Sequence, residues 1–276
     1  MEEPFELPIG AGVLRGHRRS GEPPALLLHG GPALADYTAD CADALDGLFG
    51  TIRYTQRGTP PSDGVPPYTI ESHMADALAA LDFLEIERAW AIGHSWGGHL
   101  ALHLAVAHPD RLLGVLCIDP LGAHPDLLEE QQQNLTLGLT DEQKERVGRA
   151  EQRRREGIVT EAELVDRFAL LWPQFFVKRE RALPPPARIG VQCSIGANRS
   201  IGEHFERQTL TLGLPAVDLP VLIVHGAGDP LPPRSSTQTA ALIAGAVVAT
   251  IPDCGHFPWL EQPAAFRAAV ERLLAA

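Results

Sequence analysis

Ser95, Asp229 and His256 supply a hydroxyl, a carboxylate and an imidazole, the groups needed to drive attack on an acyl carbon at neutral pH. A serine hydroxyl alone is a weak nucleophile. An imidazole can take its proton, and a carboxylate can orient the ring and stabilise the imidazolium that forms. Ser95 lies in Gly93-His94-Ser95-Trp96-Gly97, between a strand-like run, Ala89 to Ile92, and a helix-like run, Gly98 to Ala107. That context predicts a sharp strand-to-helix turn that presents the hydroxyl, with glycines two residues to either side relieving backbone crowding.

Asp229 follows Pro220 to Gly226, an apolar run that reads as a buried parallel strand, and His256 falls in the turn after a second strand-like run, Ala246 to Pro252. The chain order Ser, Asp, His is that of one hydrolase architecture and differs from the chymotrypsin and subtilisin orders. Asp119, which ends the strand-like run Leu112 to Ile118, is the competing candidate for the acid. Asp229 is preferred because its loop directly follows a strand in the expected order. Upstream, Ala25 to Leu28 leads into the small-residue turn His29-Gly30-Gly31-Pro32, which can aim amides inward. Attack on a carbonyl builds charge on its oxygen, and one preorganised N–H donor is worth roughly 2.7–4 kcal/mol to that transition state. The backbone N–H groups of Gly31 and Trp96 are assigned to this oxyanion hole.

On His29-Gly30-Gly31-Pro32, on Gln56-Arg57-Gly58 after Thr51 to Tyr54, and on Gly93 to Gly98, the chain resembles the α/β-hydrolase superfamily and, within it, the proline iminopeptidase-like branch. The resemblance spans residues 11 to 120 and 218 to 276. It implies a mostly parallel sheet covered by helices on both faces, with an inserted helical lid. Thr55 and Ala33 stand where the narrower branch usually has aspartate and glycine. That branch also holds a substrate's free amine with cap carboxylates, one commonly after Ala-Arg-Ile, whereas Ala187-Arg188-Ile189 is followed here by Gly190. The usual counter-charge is therefore expected to be missing, with Glu203 or Glu206 as nearby substitutes.

The elements that would position these groups follow from periodicity. Strand-like runs at Val13 to His17, Ala25 to Leu28, Thr51 to Tyr54, Ala89 to Ile92 and Leu112 to Ile118 alternate with helical patterns at Tyr37 to Leu48, Ile70 to Leu84 and Gly98 to Ala107, which predicts a parallel α/β sheet. From Leu121 to Ala216 the pattern changes to charged helices without strand signals, so residues 1–120 and 217–276 are read as the core and 121–216 as a lid. Thr140 to Gln143 and Thr160 to Glu163 are capping boxes that start helices. Leu164, Phe168, Leu171 and Trp172 share a helix face, and Phe168, Trp172, Phe176 and Phe205 are candidate pocket residues. Pro184-Pro185-Pro186 breaks the helical pattern.

At 276 residues and 45% hydrophobic, the chain can bury one substantial core. A net charge of −12 argues against a nucleic-acid surface, and Arg153-Arg154-Arg155, flanked by Glu151 and Glu156, reads as a solvated helix face. The start of the chain is acidic and lacks a signal peptide's basic and apolar segments, no run reaches the roughly 18 apolar residues of a membrane span, and four scattered cysteines suggest reduced thiols. A cytoplasmic location follows. His99 and His103 have helical metal-pair spacing but no accompanying His-Glu-x-x-His, and neither a dinucleotide nor a Walker pattern occurs, so no metal or cofactor is expected. His94 is expected to leave the strand opposite Ser95 without moving protons. The expected function is cofactor-independent cleavage of a small carboxylic ester or amide through an acyl-enzyme on Ser95. Release of an N-terminal residue from a short peptide is the alternative, followed by a hydrolase-like receptor that binds ligand without turnover.

Overall fold

The computed structural model describes residues 2–275; Met1 and Ala276, the outer ends of the expected core, lie outside the described residues. Eight strands form one sheet in the order β1-β2-β4-β3-β5-β6-β7-β8. They are β1 (Glu2–Ile9), β2 (Gly12–Arg19), β3 (Pro24–Leu28), β4 (Gly50–Tyr54), β5 (Ala89–His94), β6 (Leu112–Ile118), β7 (Val221–Gly226) and β8 (Val247–Ile251). From β4 onward across the sheet every pairing is parallel, while β1 and β2 pair antiparallel and β2 meets β4 antiparallel.

Strand β1 is absent from the sequence reading. Its apolar residues Phe5, Leu7 and Ile9 alternate with Glu6 and Pro8, and it closes on β2 through Gly10 at φ +53°. Two prolines within eight residues hid this strand, because proline is tolerated mainly on edges, and β1 is an edge.

Helices cover both faces. In β3, Leu26 and Leu28 join one apolar cluster while Leu27 joins the other, and Val115 and Leu116 of β6 divide the same way, as the period of two requires. Helices α2 (Ile70–Phe83) and α3 (Trp96–Ala107) bury Met74, Leu81, Leu100 and Leu104 on the first face. Helices α1 (Ala39–Ala44) and, late in the chain, Pro258–Glu261 and Pro263–Leu274 bury Cys41, Trp259, Phe266 and Val270 on the second. Helix α1 is half the length that the pattern Tyr37 to Leu48 predicts. The Asp36 carboxylate ties down the Thr38 N–H at 2.9 Å and its hydroxyl at 2.6 Å before the helix starts, and Gly47 at φ +76° follows its end.

Between β6 and β7 the chain forms helices and no strand among the described residues: α4 (Leu128–Thr136), α5 (Asp141–Glu156), α6 (Glu161–Leu171), α7 (Val191–Glu206) and α8 (Thr209–Gly213). Thr140 and Thr160 form the capping boxes read from sequence, each accepting the third following N–H while Gln143 or Glu163 bonds back. The three prolines at 184–186 lie in the irregular connection to α7. After β7 come α9 (Arg234–Ala240) and, following β8, the two C-terminal helices, α10 (Pro258–Glu261) and α11 (Pro263–Leu274). No helix of the described residues is long and apolar enough to cross a membrane. All four cysteines are free and buried.

Candidate active site

Ser95 stands between β5 and α3 with φ +57° and ψ −117°, outside the regions comfortable for a residue with a side chain. Close packing of the backbone dictates the turn. A Cβ on Gly93 would collide with the Gly97 carbonyl, and one on Gly97 would collide with the Leu28 and His29 carbonyls at the end of β3. The Ser95 N–H donates to the Ile118 carbonyl at 2.9 Å, fastening the turn to the end of β6. Ser95 is half-buried, whereas both its neighbours are buried.

His256 follows β8 and Asp229 follows β7, so both lie beyond the carboxyl ends of strands, where open parallel sheets place their ligands. His256 Nδ1 donates to Asp229 Oδ2 at 2.5 Å, and the Leu231 N–H donates to Asp229 Oδ1 at 2.8 Å. Burial pushes the Asp229 carboxyl up to about 6 and His256 down to about 3, so His256 is a neutral imidazole at pH 7. The two candidate carboxylates differ in reach. Asp119 Oδ1 accepts the Gly226 N–H at 2.7 Å, and its buried Oδ2 has no partner. Burial, reinforced by the neighbouring Asp229, holds the Asp119 carboxyl well above the usual carboxylate range.

His225 brings ligand atoms to within 4.8 Å of those of Asp119 and Asp229. Its nitrogens are committed, since Nε2 donates to the Leu231 carbonyl at 2.8 Å and Nδ1 accepts from Ser236 Oγ at 2.7 Å. A ring nitrogen carrying a proton is no metal ligand. His99 and His103 are also engaged, His99 Nδ1 with the Gly122 carbonyl at 2.9 Å and the two Nε2 atoms with each other at 3.3 Å.

The upstream turn is organised by bonds between two of the motifs singled out from sequence, His29 to Pro32 and Gln56 to Gly58. His29 Nε2 accepts the Gln56 N–H and the Gln56 amide donates to the His29 carbonyl, both at 2.9 Å, while Gln56 Oε1 accepts the Trp96 indole N–H at 2.9 Å. Gln56 thus joins the turn to the helix that Ser95 opens. Gly31 has φ +57°, and a Cβ there would strike Leu34. Trp96 is the first residue of α3, so its N–H has no acceptor within the helix. Among the described residues no protein group accepts the Gly31 N–H either.

His94 does more than pack. The Gly30 N–H donates to Tyr37 Oη at 2.9 Å, Tyr37 Oη donates to His94 Nδ1 at 2.6 Å, and His94 Nε2 donates to the His256 carbonyl at 2.7 Å. Because a carbonyl can only accept, the proton sits on Nε2 and the ring ties the upstream turn to the histidine loop. Glu261 braces that loop from the other side, accepting the Gly255 N–H at 2.8 Å and the Lys178 N–H at 2.7 Å. His94 lies 162 residues from His256, and the Glu261 bonds follow no helical or strand period, which is why pattern reading missed both.

The four candidate pocket aromatics do not line one cavity. Trp172 borders a space of about 280 Å³ with Tyr37, Leu34 and Leu183, and Phe168 packs beside it at 6.4 Å. Phe176 is buried and stacks on Phe257 at 4.6 Å, as core. Phe205 borders a different cavity, with Leu121, and lies 5.2 Å from the His99 ring. Closeness in sequence around 168–176 did not translate into one wall because an irregular loop and α7 separate Phe205 from the others. Of Arg153 to Arg155, expected on a solvated face, Arg155 is 75% exposed, whereas Arg154 is only 14% exposed and grips Glu151 through two bonds.

Gly190 has no room for a counter-charge. Its N–H donates to the Ala33 carbonyl at 3.0 Å, and a Cβ would run into the Gly58 carbonyl. Glu203 and Glu206 are exposed.

A model of the alpha/beta hydrolase family matches residues 25–269. A proline iminopeptidase of Lactobacillus helveticus (strain DPC 4571) is 24% identical over 88% of this chain and 87% of its own length. A 2-hydroxymuconate semialdehyde hydrolase of Pseudomonas sp. (strain CF600) is 29% identical over 80% of this chain and 72% of its own length. Among solved structures, a thermophilic esterase from Thermogutta terrifontis covers 100% of this chain and 98% of its own with a TM-score of 0.71 at 24% identity. With a mostly parallel sheet of eight strands, a strained serine turn at its centre and a family model matched from β3 into α11, the chain belongs to the alpha/beta hydrolase family.

Proposed function

We propose that this hydrolase cleaves a small carboxylic ester or amide through an acyl-enzyme on Ser95, without a cofactor. The observation that carries the reading is the 2.5 Å bond from His256 Nδ1 to Asp229, on the loops that follow β7 and β8, in a fold that also strains Ser95 into a tight turn. Ser95 Oγ attacks the acyl carbon and its proton passes to His256 Nε2, the nitrogen left free by Asp229. The carbonyl oxygen gains charge facing the N–H groups of Gly31 and Trp96. When the bond to the leaving alcohol or amine breaks, His256 returns the proton to it. Water then attacks the acyl carbon with His256 again as base, releasing the acid and restoring the serine. Helices α4 to α8, residues 121–216 in this reading, act as the lid.

Ser95→Ala is expected to abolish both the acylation burst and labelling by a fluorophosphonate, with thermal unfolding unchanged. Most of the turnover persisting in a clean variant would refute the mechanism, and a folded wild-type protein that ignores the probe would favour a ligand-binding receptor. The iminopeptidase relatives suggest a competing substrate. A buried ammonium without a carboxylate is costly by several kcal/mol, and Gly190, Glu203 and Glu206 offer no buried anchor. Neutral esters or N-acylated amides are therefore expected to exceed Pro-p-nitroanilide in kcat/KM. A preference for free N-terminal proline above about tenfold, about 1.4 kcal/mol of discrimination, would reverse the assignment.

A further inference from the structure

A cavity of about 680 Å³ lies among α4, α5 and α7 and reaches Leu121 and Phe205. Its inner wall is attached to the serine turn. The Leu121 N–H donates to the Ser95 carbonyl at 3.3 Å, and Phe205 lies against His99, whose own N–H donates to the same carbonyl at 3.1 Å. Leu121 is three residues past the end of β6, on the side of the sheet where ligands bind.

The charge of this cavity is opposite to that of the whole chain. Arg154, Arg155 and Arg167 line it against Glu129 and Glu151, an excess of one positive charge in a protein with a net charge of −12. Glu151 is already occupied: its oxygens accept Arg154 Nε at 3.0 Å, Arg154 Nη2 at 2.6 Å and Arg155 Nε at 3.1 Å. Arg167 is held more loosely, its guanidinium carbon 5.7 Å from the centre of the Phe168 ring. Its Nη2 stands 3.8 Å from Glu151, too far for a hydrogen bond, and its Nε is buried without a partner. Burial lowers its pKa, the mark of a cation short of acceptors, although a guanidinium keeps its charge. A planar guanidinium with free N–H groups fits a carboxylate through two parallel bonds. A cationic ligand would find no unpaired carboxylate on this wall except exposed Glu129.

We propose that this cavity receives an acyl chain ending in a carboxylate, held by Arg167, with Leu121 and Phe205 covering the hydrocarbon between that anion and Ser95. The substrate class is thus a monoester or monoamide of a short dicarboxylic acid. The inference rests on the serine-hydrolase reading above.

The test compares 4-nitrophenyl monoesters of succinic, glutaric and adipic acids with 4-nitrophenyl butanoate, pentanoate and hexanoate, after subtraction of uncatalysed rates. At least one diacid monoester is expected to exceed its neutral match tenfold or more in kcat/KM. Arg167→Met is expected to reduce that ratio at least tenfold, Arg167→Lys to retain part of it, and Glu151→Gln, which frees guanidinium donors, to increase it. Neutral esters winning at every length, or a ratio unmoved in Arg167→Met, would overturn the proposal. If Arg167→Met fails to fold, the opposite-signed change in Glu151→Gln carries the test. If no ester is turned over and the fluorophosphonate leaves Ser95 unlabelled, the hydrolase reading has failed, and calorimetric titration with glutarate decides the cavity alone. Binding by wild type that is lost with Arg167→Met supports the site, and no binding by wild type overturns it.

Discussion

Asp119 and Asp229 are chemically identical and both buried, yet only Asp229 bonds His256. Replacing Asp229 by asparagine removes the charge that stabilises the imidazolium and presents an N–H where Nδ1–H needs an acceptor. Asp229→Asn should therefore lower kcat by about 10⁴, the size of an equivalent triad change. Asp119, whose carboxyl burial pushes up, has nearly the shape of asparagine, whose oxygen can still accept the Gly226 N–H. Asp119→Asn is expected to stay within about tenfold of wild type, and steady-state rates showing the reverse ranking would transfer the role. The same environment sets the pH response. His256 must be neutral to accept a proton, and burial keeps it so far into acid; Asp229 must be ionised, and burial raises it to about 6. Activity should thus be present above that range and fall as pH drops through about 6, below the 6.5 of free imidazole, as a property of the pair. An acid limb centred above 7 would show that Asp229 raises His256 more than burial lowers it.

At the scale of elements, legibility followed the strength of the local signal. The parallel strands β3, β5, β6 and β7, with the helices that start at Thr69, Thr140 and Thr160, had largely apolar runs or a cap that satisfies early N–H groups. The serine turn was readable for the same reason: two glycines at fixed offsets are required by backbone approach, not by fashion of sequence. Strand β1 was obscured by its prolines, and α1 was overextended because the Asp36 to Thr38 bonds that stop it leave no periodic trace. The Tyr37–His94 and Glu261 braces were illegible because they depend on contacts across 57 and at least 6 residues that only folding creates. Gly190 shows what geometry adds. Sequence alone invites Gly190→Glu as a way to install an amine anchor, but the Cβ would enter the Gly58 carbonyl at the start of α7. The expected outcome is a loss of about 1–3 kcal/mol of stability from overpacking, read by urea unfolding, with no gain on Pro-p-nitroanilide. A stable variant with improved prolyl turnover would mean that α7 shifts to make room.

Across the whole molecule, stability is unevenly distributed. The two large apolar clusters draw on strands β3 to β7 and on helices from both faces, so the central strands cannot open without exposing both. The segment α4 to α6 has a small cluster of its own, Leu135, Leu139, Val147 and Leu171, and much of α5 faces solvent through charged residues. Helix α5 has only Val147 and Ala150 buried among its 16 residues. Local openings with few apolar contacts to break cost little free energy, which is what a lid must do to admit substrate and release product. Native-state hydrogen exchange should therefore find α5 amides exchanging well before those of β5 and β6. Because α5 lines the cavity next to Leu121, an acyl or phosphonate adduct filling that cavity should slow α5 selectively. Equal protection of α5 and the central strands in the free protein would show that 121–216 moves with the core, and an adduct that leaves α5 exchange unchanged would separate this cavity from the chemistry at Ser95.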